Sequence, residues 1–214
     1  DLSTLLARSL AKVQECALAL PFLSRVTQQQ DDYRDAWIVQ GYCQLVTERT
    51  QEALASFERS YTLDPQKPEI QYFLGRTYGA MEDHKNALTF LQYALMNGFN
   101  PEKDVRRAIA AEAEKAGNVQ LAFEQEKILA TASGSDLASI AAFVALALRA
   151  ERQNDAFEAA EKATLRWPDS AQAYALLGSA AEAAGKKDEA RSAYGRALEL
   201  DGSLDEVKEK LLNL

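Results

Sequence analysis

Few side chains in this sequence could do chemistry. The single histidine, His84, stands within Glu82-Asp83-His84-Lys85. A metal site needs clustered ligands at suitable spacing, and none surrounds it. A Ser/His/Asp or Cys/His relay would have to use this ring, yet no G-x-S-x-G elbow supplies a nucleophile. His84 therefore reads as an exposed residue in a turn between two helices. Cys16 and Cys43 have neither metal nor redox spacing. They read as small buried thiols, or as a disulfide if the chain is secreted; spacing alone does not choose between these. No phosphate-cradling G-x-x-x-x-G-K-S/T or G-x-G-x-x-G occurs, and the carboxylates scatter along polar helix faces. The expectation is a non-catalytic protein with no metal and no cofactor.

Composition narrows the partners. Of 214 residues, 47% are hydrophobic and 26% charged, which suits a folded domain with a substantial core. The formal net charge of -8 opposes non-specific binding to phosphate backbones or anionic membranes. No Lys/Arg run exceeds Arg106-Arg107 or Lys186-Lys187, so no nucleic acid is expected as a partner. No uncharged apolar stretch reaches roughly 18 residues, so no direct membrane insertion is expected. The apolar run from Cys16 to Leu23 is short, is flanked by Glu15 and Arg25, and reads as a buried helix. The chain begins at Asp1, which reads as a fragment or a mature form. Localisation stays open between a soluble cytoplasmic protein, a periplasmic one, and the soluble part of a membrane-anchored one.

The elements that would position any site come from an internal repeat. Ala53, Ala87, Ala122, Ala156 and Ala190 are spaced by 34, 35, 34 and 34 residues. Twelve residues before each anchor stand Gly41, Gly75, Ala110, Val144 and Gly178. Four residues after it stand Phe57, Leu91, Glu126, Ala160 and Tyr194. Small residues recurring on two helices let an antiparallel pair approach closely, while large apolar residues one turn away fill the remaining space. One such pair cannot bury its apolar face alone, but stacked neighbours bury a continuous core.

The pattern resembles the tetratricopeptide repeat family, whose unit runs W-x2-L-G-x2-Y, then A-x3-F, then P. The matching residues are Trp37-x2-Gln40-Gly41 with Ala53-x3-Phe57 and Pro65; Leu74-Gly75-x2-Tyr78 with Ala87-x3-Leu91; and Tyr174-x2-Leu177-Gly178 with Ala190-x3-Tyr194. Gln40 and Gln44 depart from the expected apolar residues, and the third unit carries Glu126 in place of the aromatic. The resemblance implies an all-α, right-handed superhelical solenoid of antiparallel helix pairs with a C-terminal capping helix. The expected organisation is N-terminal helices over 1–30 (a degenerate repeat or cap), repeats over 31–67 and 68–102, a degenerate repeat over 103–136, repeats over 137–170 and 171–202, and a capping helix over 203–214.

Punctuation places several helix ends. Asn100-Pro101 reads as an N-cap and first helical residue. Gly117 and Gly185 read as C-terminal caps. Ser170 and Ser203 read as N-caps, Ser203 with Glu206 as a capping box. Leu204, Val207, Leu211 and Leu214 share one face of the last helix, leaving its charged residues to water. Leu5, Leu6, Leu10 and Val13 form an apolar stripe near the start, where Ala17 takes the anchor position; Pro21 should kink or offset the segment that follows.

In this family the first helix of each unit lines a concave face on which peptides or partner helices lie. Carried onto this chain, the resemblance puts Ile38, Tyr42, Tyr72, Phe73, Arg76, Arg107, Ala111, Ala145 and Arg149 on that face. The aromatic residues among them read equally as packing between units. The family's chaperone-tail binders clamp a terminal carboxylate with a Lys/Asn/Lys/Arg set; the matching slots here hold Ile38, Tyr42, Glu69 and Phe73, so that clamp is not expected. The expected function is a protein-interaction scaffold or adaptor holding a peptide or partner helix with some acidic character. The alternatives are a self-assembling subunit stacking through its end units or convex surface, and a non-catalytic subunit of an envelope or secretion assembly. A homo-oligomer is compatible with either.

Overall fold

The computed structural model describes residues 13–214, with side chains from residue 15. The stripe Leu5, Leu6 and Leu10 lies outside the described residues. Twelve α-helices and no strand occur among the described residues. They form two compact units, Asp1–Asn118 and Val119–Leu214, and the division falls within the stretch read as the degenerate repeat.

The first unit holds α1 (Val13–Gln29), α2 (Arg34–Val46), α3 (Thr50–Leu63), α4 (Pro68–Ala80), α5 (His84–Met96) and α6 (Glu102–Lys115). Each helix packs against the next in sequence, and α2, α4 and α6 also neighbour one another in that order. The second unit holds α7 (Val119–Thr131), α8 (Leu137–Arg149), α9 (Gln153–Arg166), α10 (Ala171–Ala183), α11 (Lys187–Leu200) and α12 (Asp205–Asn213), again packed in succession, with α8 beside α10. Within each unit this is the stacking of antiparallel pairs that the repeat predicts.

The alanine anchors Ala53, Ala87, Ala122, Ala156 and Ala190 are all fully buried. The glycine slots show why the pairs nest. A Cβ on Gly41 would stand 2.8 Å from the Phe57 ring, and one on Gly75 would stand 2.6 Å from Leu91 Cγ. A Cβ on Gly178 would collide with the Tyr194 ring. In α8 and α9 the same two slots are inverted: Val144 takes the glycine position, Ala160 takes the large one, and both are buried. Bulk is thus shared between two facing positions, and either helix can supply it.

The helix ends repeat as well. Glu48, Glu82, Gly117, Glu151 and Gly185 all have positive φ, between 56° and 74°, one residue beyond a helix cap. The next backbone N–H then donates back across the turn: Arg49 to Gln44, Asp83 to Tyr78, Asn118 to Ala113, Arg152 to Ala147 and Lys186 to Ala181, at 2.8–3.0 Å. These 6→1 bonds satisfy carbonyls that the helix leaves open. Gly117 and Gly185 act as the glycine rule predicts. The three glutamates adopt the same geometry at a conformational cost that glycine avoids.

Of the other local expectations, the Ser170 cap and the apolar face of the last helix hold, and the rest need correction. The run Cys16–Leu23 is helical but only half buried: Leu18 is 74% exposed and Phe22 72%, because α1 meets α2 along Cys16, Ala19, Leu20 and Leu23. The small buried residue at that level is Cys16, and Ala17 is exposed. Helix α1 continues through Pro21, which stands on its exposed side. Pro101 is extended (φ -80°, ψ 131°) and is itself the N-cap of α6, one residue later than expected. Ser170 caps α10 by accepting from the Ala173 N–H at 3.3 Å. Ser203 makes no capping box; its N–H and Oγ both donate to Asp201 Oδ1 (2.9 and 2.6 Å), so α12 starts after Leu204. Val207 of α12 is buried with Leu204, Leu211 and Leu214 packed around it, as the periodicity predicts, whereas Leu212 is 86% exposed.

The departures Gln40 and Gln44 are explained by a buried polar chain. Thr27 Oγ1 donates to Gln40 Oε1 (2.9 Å), Gln40 Nε2 donates to Ser56 Oγ (3.3 Å), and Ser56 Oγ donates to Gln44 Oε1 (2.7 Å). All four residues are buried, and their hydrogen bonds replace the water that burial removes. Beside them Cys16 and Cys43 form a disulfide across a Cα–Cα distance of 4.8 Å, inside a cluster with Leu20 and Val39. The two cysteines are therefore bonded rather than free thiols.

Candidate functional site

Helices α4 and α6 lie side by side in the first unit, and a groove of about 470 Å3 runs between them. Tyr72 and Arg76 come from α4, one turn apart and so on one face. Arg107, Ala111 and Lys115 follow the same i, i+4, i+8 line along α6, with Asp104 and Glu112 beside them. Three cations thus face two carboxylates. Tyr72 is 9% exposed, and its ring stacks on Phe99 with centroids 4.2 Å apart. Its hydroxyl accepts from the Arg76 guanidinium at 2.9 Å, and that guanidinium lies 5.8 Å from the ring centroid. The tyrosine is fixed from behind while Arg76 remains exposed to solvent.

Glu112 organises the other wall. It is 8% exposed, and its carboxylate rests on Gly79, where a Cβ would come within 2.8 Å of Glu112 Cδ. Lys115 Nζ donates to it at 2.9 Å, and His84 Nδ1 lies 2.7 Å away. Burial pushes the Glu112 carboxyl up, but the hydrogen bonds and charges of Lys115 and His84 outweigh it and hold the group below its ordinary range. His84 is therefore not an exposed turn residue. It is the first residue of α5, with its side chain 25% exposed, and it ties the start of α5 to α6.

The structure brings together Tyr72, Arg76, Arg107 and Ala111 of the residues expected on this face. Ile38, Tyr42 and Phe73 are half buried in the cluster around Phe57 and Leu74; Phe73 stacks on Phe57 at 5.3 Å and meets Tyr42 edge-on at 5.7 Å. Ala145 and Arg149 are exposed on α8, in the second unit. There a separate groove of about 460 Å3 has small and apolar walls, Ala138, Ala141, Ala175 and Leu176, with Glu206 and Lys210 at one edge. Sequence reasoning missed Lys115, Glu112 and His84. Lys115 was within reach of the i+4 rule from Ala111. Glu112 and His84 were not, since their pairing joins residues 28 apart.

Family models of the tetratricopeptide repeat match residues 4–68 and 171–203. The chain is a tetratricopeptide repeat protein. No curated protein sequence matches it. Among solved structures, it is similar to YrrB, described as a tetratricopeptide repeat protein with an unusual peptide-binding site, at 15% identity and a TM-score of 0.69, covering 88% of this chain and 96% of that one. It is similar also to the C-terminal part of a tetratricopeptide repeat-containing protein from Cytophaga hutchinsonii (14% identity, TM-score 0.75, 86% of this chain and 74% of that one). A third is PilW, described as a widely conserved type IV pilus biogenesis factor (18% identity, TM-score 0.67, 99% of this chain and 97% of that one). The tetratricopeptide repeat fold is that of a protein-interaction scaffold. No helix among the described residues is long and apolar enough to cross a membrane.

Proposed function

We propose that this tetratricopeptide repeat protein is a non-catalytic adaptor that holds a segment of a partner protein on the first-helix face of its first unit. The observation that carries the reading is the groove between α4 and α6, where Arg76 and Arg107 stand exposed beside a tyrosine already fixed by packing. Tyr and Arg dominate binding energy where a rigid anchor costs little entropy to hold. Arg76 and Arg107 favour a segment with acidic character, Lys115 being paired with Glu112, and Ala108 and Ala111 leave room for its backbone. Ile38, Tyr42 and Phe73 extend this face toward α2, while Ala145 and Arg149 belong to the second unit's own first-helix face. The test is affinity capture from the source cells with the intact chain and with an Arg76→Glu, Arg107→Glu variant of unchanged circular dichroism. A partner set retained by the parent and lost by the variant supports the reading, and identical sets refute it. Tyr72 is not the residue to substitute, because its stacking on Phe99 also serves the fold.

A second reading concerns location and rests on the Cys16–Cys43 disulfide. A buried structural disulfide forms and persists in an oxidising compartment. We infer that the protein works outside the cytoplasm, which is compatible with the envelope-assembly alternative and with the likeness to PilW. Thiol titration of denatured protein taken directly from its cells should find neither cysteine reactive. Two free thiols would contradict this placement.

A further inference from the structure

The second unit carries a cavity that the groove reading does not use. It lies between α7 and α9, the helices that in the repeat register are second members of their pairs, and is closed at one end by the loop leading into α8. Its volume is about 420 Å3. Its floor is apolar: Ile140 is 6% exposed, Phe143 3% and Ala130 9%, with Ala159 on the opposite wall.

The rim holds three cations and two carboxylates, and the pairing between them is uneven. Lys127 Nζ lies 3.4 Å from Asp155, and Lys162 Nζ lies 2.5 Å from Glu158, so each lysine has its counter-ion. Arg166 pairs with no carboxylate among the described residues. Its guanidinium donates to Ser135 Oγ at 3.0 Å and to the Ser133 carbonyl at 3.4 Å, and it lies 4.7 Å from the Trp167 ring centroid. Neutral acceptors and an aromatic face therefore hold this cation in place without cancelling its charge. Ser135, its main anchor, is itself 7% exposed.

We propose that this cavity binds the C-terminal end of a partner polypeptide, with an apolar last side chain on the Ile140–Phe143 floor and the terminal carboxylate on Arg166. A planar guanidinium offers paired donors to a carboxylate and is already ordered, so little side-chain entropy remains to be lost. The floor has room for one large side chain, and the lysines with their acid partners supply a polar rim around it. This is an interaction surface distinct from the α4–α6 groove and lies in the other unit, so each can fail without the other.

The test uses the intact chain and a fluorescein-labelled Gly-Ser-Gly-Ser-Phe peptide, as free acid and as C-terminal amide, read by fluorescence anisotropy. The acid should bind about ten- to a hundredfold more tightly than the amide, the range carried by a charge-assisted hydrogen bond. Arg166→Gln should abolish that difference, and Ala159→Phe, which fills the cavity, should abolish binding of both forms. Arg76→Glu should change neither. Equal affinity for acid and amide, no binding up to millimolar peptide, or a preference that survives Arg166→Gln would overturn the proposal. Stronger binding of decanoate than of the peptide acid would overturn it too, by assigning the cavity to a lipid acid. Circular dichroism on both variants separates a lost site from a lost fold.

Discussion

Replacing Gly75 by Val and Leu91 by Ala moves the bulk between α4 and α5 from one helix to the other. An ideal Cβ at residue 75 stands 2.6 Å from Leu91 Cγ and 3.0 Å from the Ala87 carbonyl oxygen, and Leu91 is fully buried. Gly75→Val alone therefore overpacks the contact by about 1–3 kcal/mol, against a few tenths recovered from helix propensity. Leu91→Ala alone opens a cavity worth about 2–5 kcal/mol. The double variant places Val opposite Ala, the arrangement that Val144 and Ala160 hold at the same register in the second unit. The valine methyls enter the space vacated by the leucine, so the double loss should fall short of the summed single losses by about 1–2 kcal/mol, within the coupling seen for contacting residues. Equilibrium urea unfolding, followed by both circular dichroism and tryptophan fluorescence to check cooperativity, measures all four proteins. Losses that simply add would refute the account of how these helices nest.

Ser56→Ala should lower stability by about 1–3 kcal/mol, because it leaves Gln40 Nε2 and Gln44 Oε1 buried without their partner; urea unfolding reads this, and a neutral result would deny the chain its role. Glu82→Gly should raise stability by up to about 1 kcal/mol, since an exposed residue at φ 62° gives way to one that adopts it freely; a lower melting midpoint would show that the glutamate side chain matters. For Glu112 the folded carboxyl titrates below its unfolded value. Its contribution to stability is therefore complete above the unfolded value, near pH ~4.3, and is lost as pH falls through the folded one. Unfolding free energies of parent and Glu112→Gln, measured across that acid range, should converge as pH falls, and a gap independent of pH would contradict the pairing with Lys115 and His84.

What the sequence made legible was whatever recurs. The alanine anchors and the facing glycine and aromatic slots are in phase because every pair solves the same packing problem, so one chain contains its own alignment. The inversion at Val144 and Ala160 was visible only as a departure, since volume conservation between two helices cannot be seen from either alone. Gly117 and Gly185 announced their positive φ, but Glu48, Glu82 and Glu151 did not: glutamate carries no turn signal, and its geometry is imposed by the turn around it. Ser203 misled because the nearer Asp201 offers its N–H and hydroxyl a better acceptor. Half of the candidate groove, Tyr72, Arg76, Arg107 and Ala111, followed from helical spacing within one family frame. His84 and Glu112 meet through space across 28 residues, as do Cys16 and Cys43 across 27, and no local rule reaches that far.

The most direct test of the adaptor reading places a photo-crosslinking benzoylphenylalanine at Ala111, exposed on α6 in the groove, and in a second protein at Met96, which is 80% exposed on α5. Irradiation in the source cells should join a defined partner to the Ala111 position and leave the Met96 position unlinked to it. A partner captured from Met96 and not from Ala111 would contradict the assignment of the binding face.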